Sequence, residues 1–357
     1  MLSLWALLAQ TDGLRGADRA KARMDAVKAA LTVGAGTGGA AALLLTARRQ
    51  WLNEREQIHR EAVDASTEQD ATERRITELY TAAAAQLGSE SAPVRLAGIY
   101  ALERLAQDHP DHRQTIVDVM CAYLRMPFNP APPAEDEGRT GWKQEKVVRA
   151  TVQKLLADHL RVDPKVSDSR SPGHSRITFW PDIQLNLSGA TLIDVDFTYC
   201  RIQHADFRYT HFAGTTNFAH AEIVERGFFH GTTFEHAIFR GVWFGQFILF
   251  DATNFRGIAD FEGATFAGYA RWGRCSFAQP PSFREARALT TETEWTTNRQ
   301  PFPSGWKERP LAEGEPLPEP ERGRRTWSAH PLPENPRWAL VVQDGTPDRT
   351  DADGAPA

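Results

Sequence analysis

The chain is short of lysine, of cysteine and of long apolar runs, and each shortage excludes something. Of its 41 basic residues all but seven are arginine, a bias that matches a GC-rich genome rather than a ligand preference. With a formal net charge of −5 and a pI near 6.1, there is no overall pull towards nucleic acid. The three cysteines, Cys121, Cys200 and Cys275, are isolated, odd in number and without CxxC spacing. That excludes a disulfide framework and a zinc ribbon, and fits a reducing compartment. At 357 residues there is room for two or three folded units.

One uncharged run stands out, the nineteen residues Ala29–Ala47, bracketed by basic residues on both sides. At helical rise that length reaches across roughly 30 Å of hydrocarbon, so 29–47 is expected to be a single transmembrane helix after a 1–28 flank. Gly34 to Gly39 within it spell a formal GxGxxG. No strand precedes it, so close helix packing explains the glycines better than a nucleotide does. Leu2–Ala9 lacks the basic start and cleavage site of a signal peptide.

Residues 48–87 read as a charged helical stalk whose apolar positions are too sparse for a heptad seam. Within 88–165, two amphipathic helices, 94–106 and 114–124, are joined by a short link, and a third spans about 143–160. A pair so closely linked is expected to pack antiparallel as one HEAT-like unit. Pro127–Gly141 between them is a Pro- and acid-rich loop.

From 183 to 284 a different rhythm takes over. A large apolar residue recurs every five positions at Leu187, Leu192, Phe197, Ile202, Phe207 and Phe212. Two residues before each sits a smaller one, such as Ala190, Cys200 or Ala205. The beat then mixes fives and sixes through Phe218, Ile223, Phe229, Phe234, Phe239, Phe244, Phe250, Phe255, Phe261, Phe266, Trp272 and Phe277. Neither a 3.6-residue nor a two-residue period generates this. A square coil does, one pentapeptide per side, with the beat residues as its structural core and the six-residue steps at widened corners. The fold class expected is α plus β-solenoid: a right-handed quadrilateral parallel β-helix of just under five coils, after helical segments and the transmembrane helix.

The repeat resembles the motif A(D/N)LXX of the pentapeptide-repeat proteins, carried here by Ala205-Asp206-Phe207-Arg208-Tyr209 and Gly189-Ala190-Thr191-Leu192. The stretch 87–106 with the helix after it looks like the helical module of actinobacterial membrane-attached members. The resemblance spans about 70–284 and implies fold more than function, since the family hosts several functions. Some members mimic duplex DNA and protect topoisomerases. Here nine acids face eight arginines over 183–284, too near neutrality for a mimic.

Chemistry is sparse. Asp194 and Asp196 flank an inward Val195 on the solvated side of a coil, and His204, His220 and His236 fall on three different faces. No catalytic residue, metal ligand or cofactor is expected. Residues 285–357 hold half of the prolines and read as a disordered tail, in which Trp306, Trp327 and Trp338 are unusual. The expectation is a non-enzymatic, membrane-anchored scaffold that binds a protein partner; the basic flanks of its single-pass anchor at 29–47 do not decide orientation in the cell membrane, and the free cysteines favour the repeats on the cytoplasmic side. The alternative is a DNA-mimicking regulator of a topoisomerase, with a β-helix enzyme ranked below both. Direct nucleic-acid binding is not expected, and neither the partner nor the oligomeric state is legible.

Overall fold

Four beats close one coil, and the beat residues of successive coils stand above one another in four columns. The structure is a computed structural model that describes residues 70–134, 136–162, 178–290, 302–311 and 337–344, with isolated positions elsewhere. It divides into residues 1–77, of which 70–77 are helical, and residues 78–357, which contain the coils.

One column runs Phe207, Phe229, Phe250, Trp272, with successive ring centroids 5.2, 5.0 and 4.4 Å apart. A second runs Phe212, Phe234, Phe255, Phe277 at 4.6, 5.3 and 4.8 Å. A third runs Phe197, Phe218, Phe239, Phe261, Phe283, at 5.2, 5.1, 4.9 and 4.9 Å. Ile202, Ile223, Phe244 and Phe266 make the fourth, in which the two rings are 5.1 Å apart. Every beat residue from Leu187 to Trp272 is buried, while Phe277 in the last coil is only partly covered. Rings in opposite columns meet edge to face across the core, as Phe218 and Phe229 do at 87°, an arrangement aromatic quadrupoles favour. This is a β-solenoid of about five turns. Its strands pair in parallel with partners first twenty residues away (Gln184 with His204) and later 21 or 22 (Arg226 with Phe247, Trp243 with Thr265).

The lengthening has a location. Corners after the first and third columns are always five-residue steps, closed by a bond from the N–H of the next small inward residue to the beat carbonyl, as from Thr232 to Phe229 at 3.1 Å. The residue two after the beat then has positive φ: Gly189, Tyr209, Gly231, Ala252 and Arg274 at one corner, Tyr199, His220, Gly241, Gly263 and Glu285 at the other. These are type II turns, which require that conformation. Every six-residue step falls at one of the other two corners, where that closing bond is not seen among the described residues, even though Asp194 and Gly214 there also have positive φ. There the backbones of adjacent coils touch: a Cβ on Gly245 would lie 1.8 Å from the Val224 carbonyl oxygen.

The small inward positions hold a polar ladder too. The hydroxyls of Thr210, Thr232 and Thr253 each donate at 2.7 Å to a carbonyl of the coil before, at Leu187, Phe207 and Phe229. Cys275 continues the row with its Sγ 2.8 Å from the Phe250 carbonyl. These buried groups are thereby satisfied, which burial demands.

The open start of the coil is covered by three helices, α1 (Ala92–Asp108), α2 (Arg113–Arg125) and α3 (Asp136–Leu160). Gln114 of α2 offers its amide to Gln184, accepting from the backbone N–H at 3.0 Å and donating to the carbonyl at 2.9 Å. Gln153 of α3 does the same for Ile193, at 3.1 and 2.9 Å. Each glutamine thus completes the ladder of a first-coil strand whose edge would otherwise be unpaired. Val162 donates to the Tyr199 carbonyl on a further side, at 3.0 Å. Trp180 is buried against His159, rings 3.7 Å apart. α1 to α3 together thus form a cap over the first coil.

The far end is covered as well. Two antiparallel strands, Trp306–Pro310 and Trp338–Gln343, extend the larger sheet beyond Arg287–Leu289. Phe302 packs on Phe266, Trp272 and Phe283 at the top of the core. Composition alone led to disorder for 285–357; these strands form because the last coil offers an unpaired edge and a bare aromatic layer.

The fold class is corrected in one more respect. No helix among the described residues is long and apolar enough to cross a membrane. The segment 29–47, with its GxGxxG, lies apart from Thr46 outside the described residues, as does most of the stalk before residue 70. The architecture of the described residues is a β-solenoid with helices at its start, none of them long and apolar enough to span a membrane.

Candidate interaction surface

Two sheets wrap the solenoid, and their outer surfaces differ. The smaller, six-stranded sheet presents His211 and Ala213, Thr233 and Glu235, and Asn254 and Arg256 on one side, and Thr215, Asn217, His236 and Asp260 on the next. Its charges are cross-linked from coil to coil: Arg256 with Glu235 at 3.0 Å, His211 with the same carboxylate at 3.4 Å, and Arg240 with Asp260 and Glu262, each at 3.0 Å. Arg284 pairs with Glu262 from the following coil.

The larger sheet is different. Its lower strands carry Gln184, Asn186, His204 and Asp206 outwards, and the same columns continue upwards as Arg226, Phe228, Phe247, Leu249, Tyr269 and Arg271. Phe247 stacks on Tyr269 with centroids 4.9 Å apart and planes 8° from parallel, and Phe228 meets Phe247 at 6.0 Å. The Arg208 guanidinium sits 5.8 Å above the Phe228 ring. On the adjoining side Trp243 meets Trp338 of the terminal strand pair at 6.3 Å, and Arg287 lies 5.4 Å over Trp338. Below Trp243, Glu222 is buried and pairs with Arg201 at 3.5 Å. Burial pushes its carboxyl up to about 7, with Arg201 only partly opposing the shift.

The residues that invited chemistry are dispersed. His204 pairs with Glu225, His220 stacks on Tyr199 at 4.9 Å, and the His236 Nδ1 accepts from the Ile258 N–H at 3.3 Å. Among the described residues no group of three or more His, Cys, Asp and Glu could hold a metal ion. Asp194 accepts from the Thr215 N–H at 3.3 Å, while Asp196 caps its own turn at the Thr198 N–H (2.9 Å) and pairs with Arg161 at 3.3 Å. Both line a cleft of about 320 Å³ between α3 and the first coil, whose Asp158 is tied to Lys154 and Arg161. Burial raises the thiols of Cys121 and Cys275 to about 12 and that of Cys200 still further, so these groups stay protonated and inert. A DNA mimic needs a row of free carboxylates; here Asp206, Glu235, Asp251, Asp260 and Glu262 are each paired with arginine.

The outward aromatics were missed in the sequence, although a signal was present. Phe228, Trp243, Phe247 and Tyr269 fall off the beat, at positions where a square coil asks only for polar residues.

Known pentapeptide repeats match residues 183–215, in eight copies. The match stops at the first six-residue step, between Phe212 and Phe218, where a strict five-residue pattern can no longer follow the chain. No curated protein and no solved structure matches. Nothing in these comparisons points to actinobacterial membrane-attached relatives or to a HEAT-like module.

Proposed function

We propose that this pentapeptide-repeat chain is an interaction scaffold that holds a protein partner on the outside of its solenoid. The observation that carries the reading is the row of aromatic side chains on the outer surface of the larger sheet. The interior is already filled by the beat residues and both ends are capped, so Phe247 and Tyr269, half-buried and stacked on each other outside the coil, are not needed to fill the core. Contiguous apolar side chains left on a surface mark sites of association. Repeat columns suit this work because each coil rests only on its neighbours, leaving long lateral faces available.

The test is affinity capture of the full chain in parallel with two variants, Tyr269→Ser on the larger sheet and Arg256→Glu on the smaller. A partner recovered in stoichiometric amount by the wild type and lost with one variant supports the scaffold. Recovery of no stoichiometric partner by any of the three contradicts it.

A further inference from the structure

We propose that the aromatic strip of the larger sheet docks an acidic peptide segment of the partner, one with an aromatic or aliphatic anchor next to a carboxylate. This rests on the scaffold reading and specifies its site and ligand class.

Position argues first. In register with one another, the outward columns read Gln184, His204, Arg226, Phe247, Tyr269 and Asn186, Asp206, Phe228, Leu249, Arg271. The first coils show that polar residues satisfy the fold at these positions. The upper coils replace them with Phe228, Phe247, Leu249 and Tyr269, which the solenoid does not require.

Charge argues second. The strip is bordered by Arg208, Arg226 and Arg271. Arg208 is held by Asp206 at 2.7 Å and Arg271 reaches Asp251 only at 3.9 Å. Arg226 is exposed, lies in register beside Phe247, and makes no ion pair among the described residues. The nearest acid in sequence, Glu225, is engaged by His204 and Gln203. An apolar strip with one free guanidinium and a second weakly held one complements an apolar anchor beside one or two carboxylates. Guanidinium groups favour carboxylates by their fork geometry, and aromatic rings supply the anchor contact. A nucleic-acid strand has a phosphate at every nucleotide and draws its affinity from a row of free cations, which this face does not have.

Phage-displayed random dodecapeptides selected on the full chain test the proposal. Enriched clones are expected to carry Asp or Glu beside Trp, Phe or Leu. Tyr269→Ser should weaken their binding at least tenfold, Arg226→Glu should turn the preference towards Lys-flanked clones, and Arg256→Glu on the smaller sheet should leave binding unchanged. Circular dichroism and thermal melting of each variant show that the fold is kept, which exposed Arg226 makes straightforward. The proposal is overturned by a selection without acidic bias, by binding indifferent to Arg226→Glu, or by an oligothymidine that displaces the peptides from this face with higher affinity. Clones that map to the smaller sheet overturn the docking site alone and leave the scaffold reading standing.

Discussion

The two sheets line one core yet treat the outside of the molecule in different ways. Inwards they are alike, each contributing stacked rings at about the same spacing (Phe229 on Phe250 at 5.0 Å, Phe239 on Phe261 at 4.9 Å). Outwards, the smaller sheet is cross-linked by ion pairs between coils, whereas the larger carries the half-buried rings of Phe228, Phe247 and Tyr269 and buries Glu222 beside Trp243. The inside is governed by the need to fill a square coil. The outside is free of that need, so the difference between the sheets speaks to function.

The comparison can be tested first where no difference is expected. Phe239→Ala and Phe229→Ala each remove a fully buried ring, and each should cost about 3–5 kcal/mol in urea unfolding. Unequal losses would mean that the two sheets differ inside as well.

A smaller effect should separate the sheets by pH. The Glu222 carboxyl is raised by burial from 4.5 to about 7, so folding favours its neutral form. Its stabilising contribution is complete below pH 4.5 and is lost as pH rises through 7, on the order of 3 kcal/mol. Glu222→Gln should abolish that part of the pH slope and raise the melting temperature at pH 8 while leaving it unchanged at pH 4.5. An unaltered slope between those values would refute the buried, neutral Glu222.

The smallest stability effects belong to the outer surfaces. Arg240→Ala removes an exposed guanidinium from its pairs with Asp260 and Glu262 and should cost about 0.5–1 kcal/mol, less in high salt. Tyr269→Ser should cost about as little in unfolding and act on partner binding instead. A loss above 2 kcal/mol for Tyr269→Ser would make the aromatic strip a structural element.

Much of the solenoid could be read from the sequence because its signal is local and repeated: nineteen beats from Leu187 to Phe283 agree on one period. The widened corners were also legible as six-residue steps, though not that they would avoid the two turns closed by residues such as Gly231 and Tyr209. The caps were hidden because they depend on single long-range pairs. Nothing in the sequence around Gln114 or Gln153 announces a strand edge seventy or forty residues away. The strand Trp338–Gln343 sits in a Pro-rich tail and forms only against Arg287–Leu289. The aromatic strip was obscured for a different reason. Phe228 and Trp243 stand next to Phe229 and Phe244, so the beat absorbed them as neighbours.

The central claim is that partners meet the larger sheet. A photo-activated crosslinker placed at position 247, and separately at position 235 on the smaller sheet, tests it directly in cells expressing the full chain. The account predicts a discrete crosslinked species from position 247 and none from 235. The reverse pattern, or the same species from both positions, would contradict it.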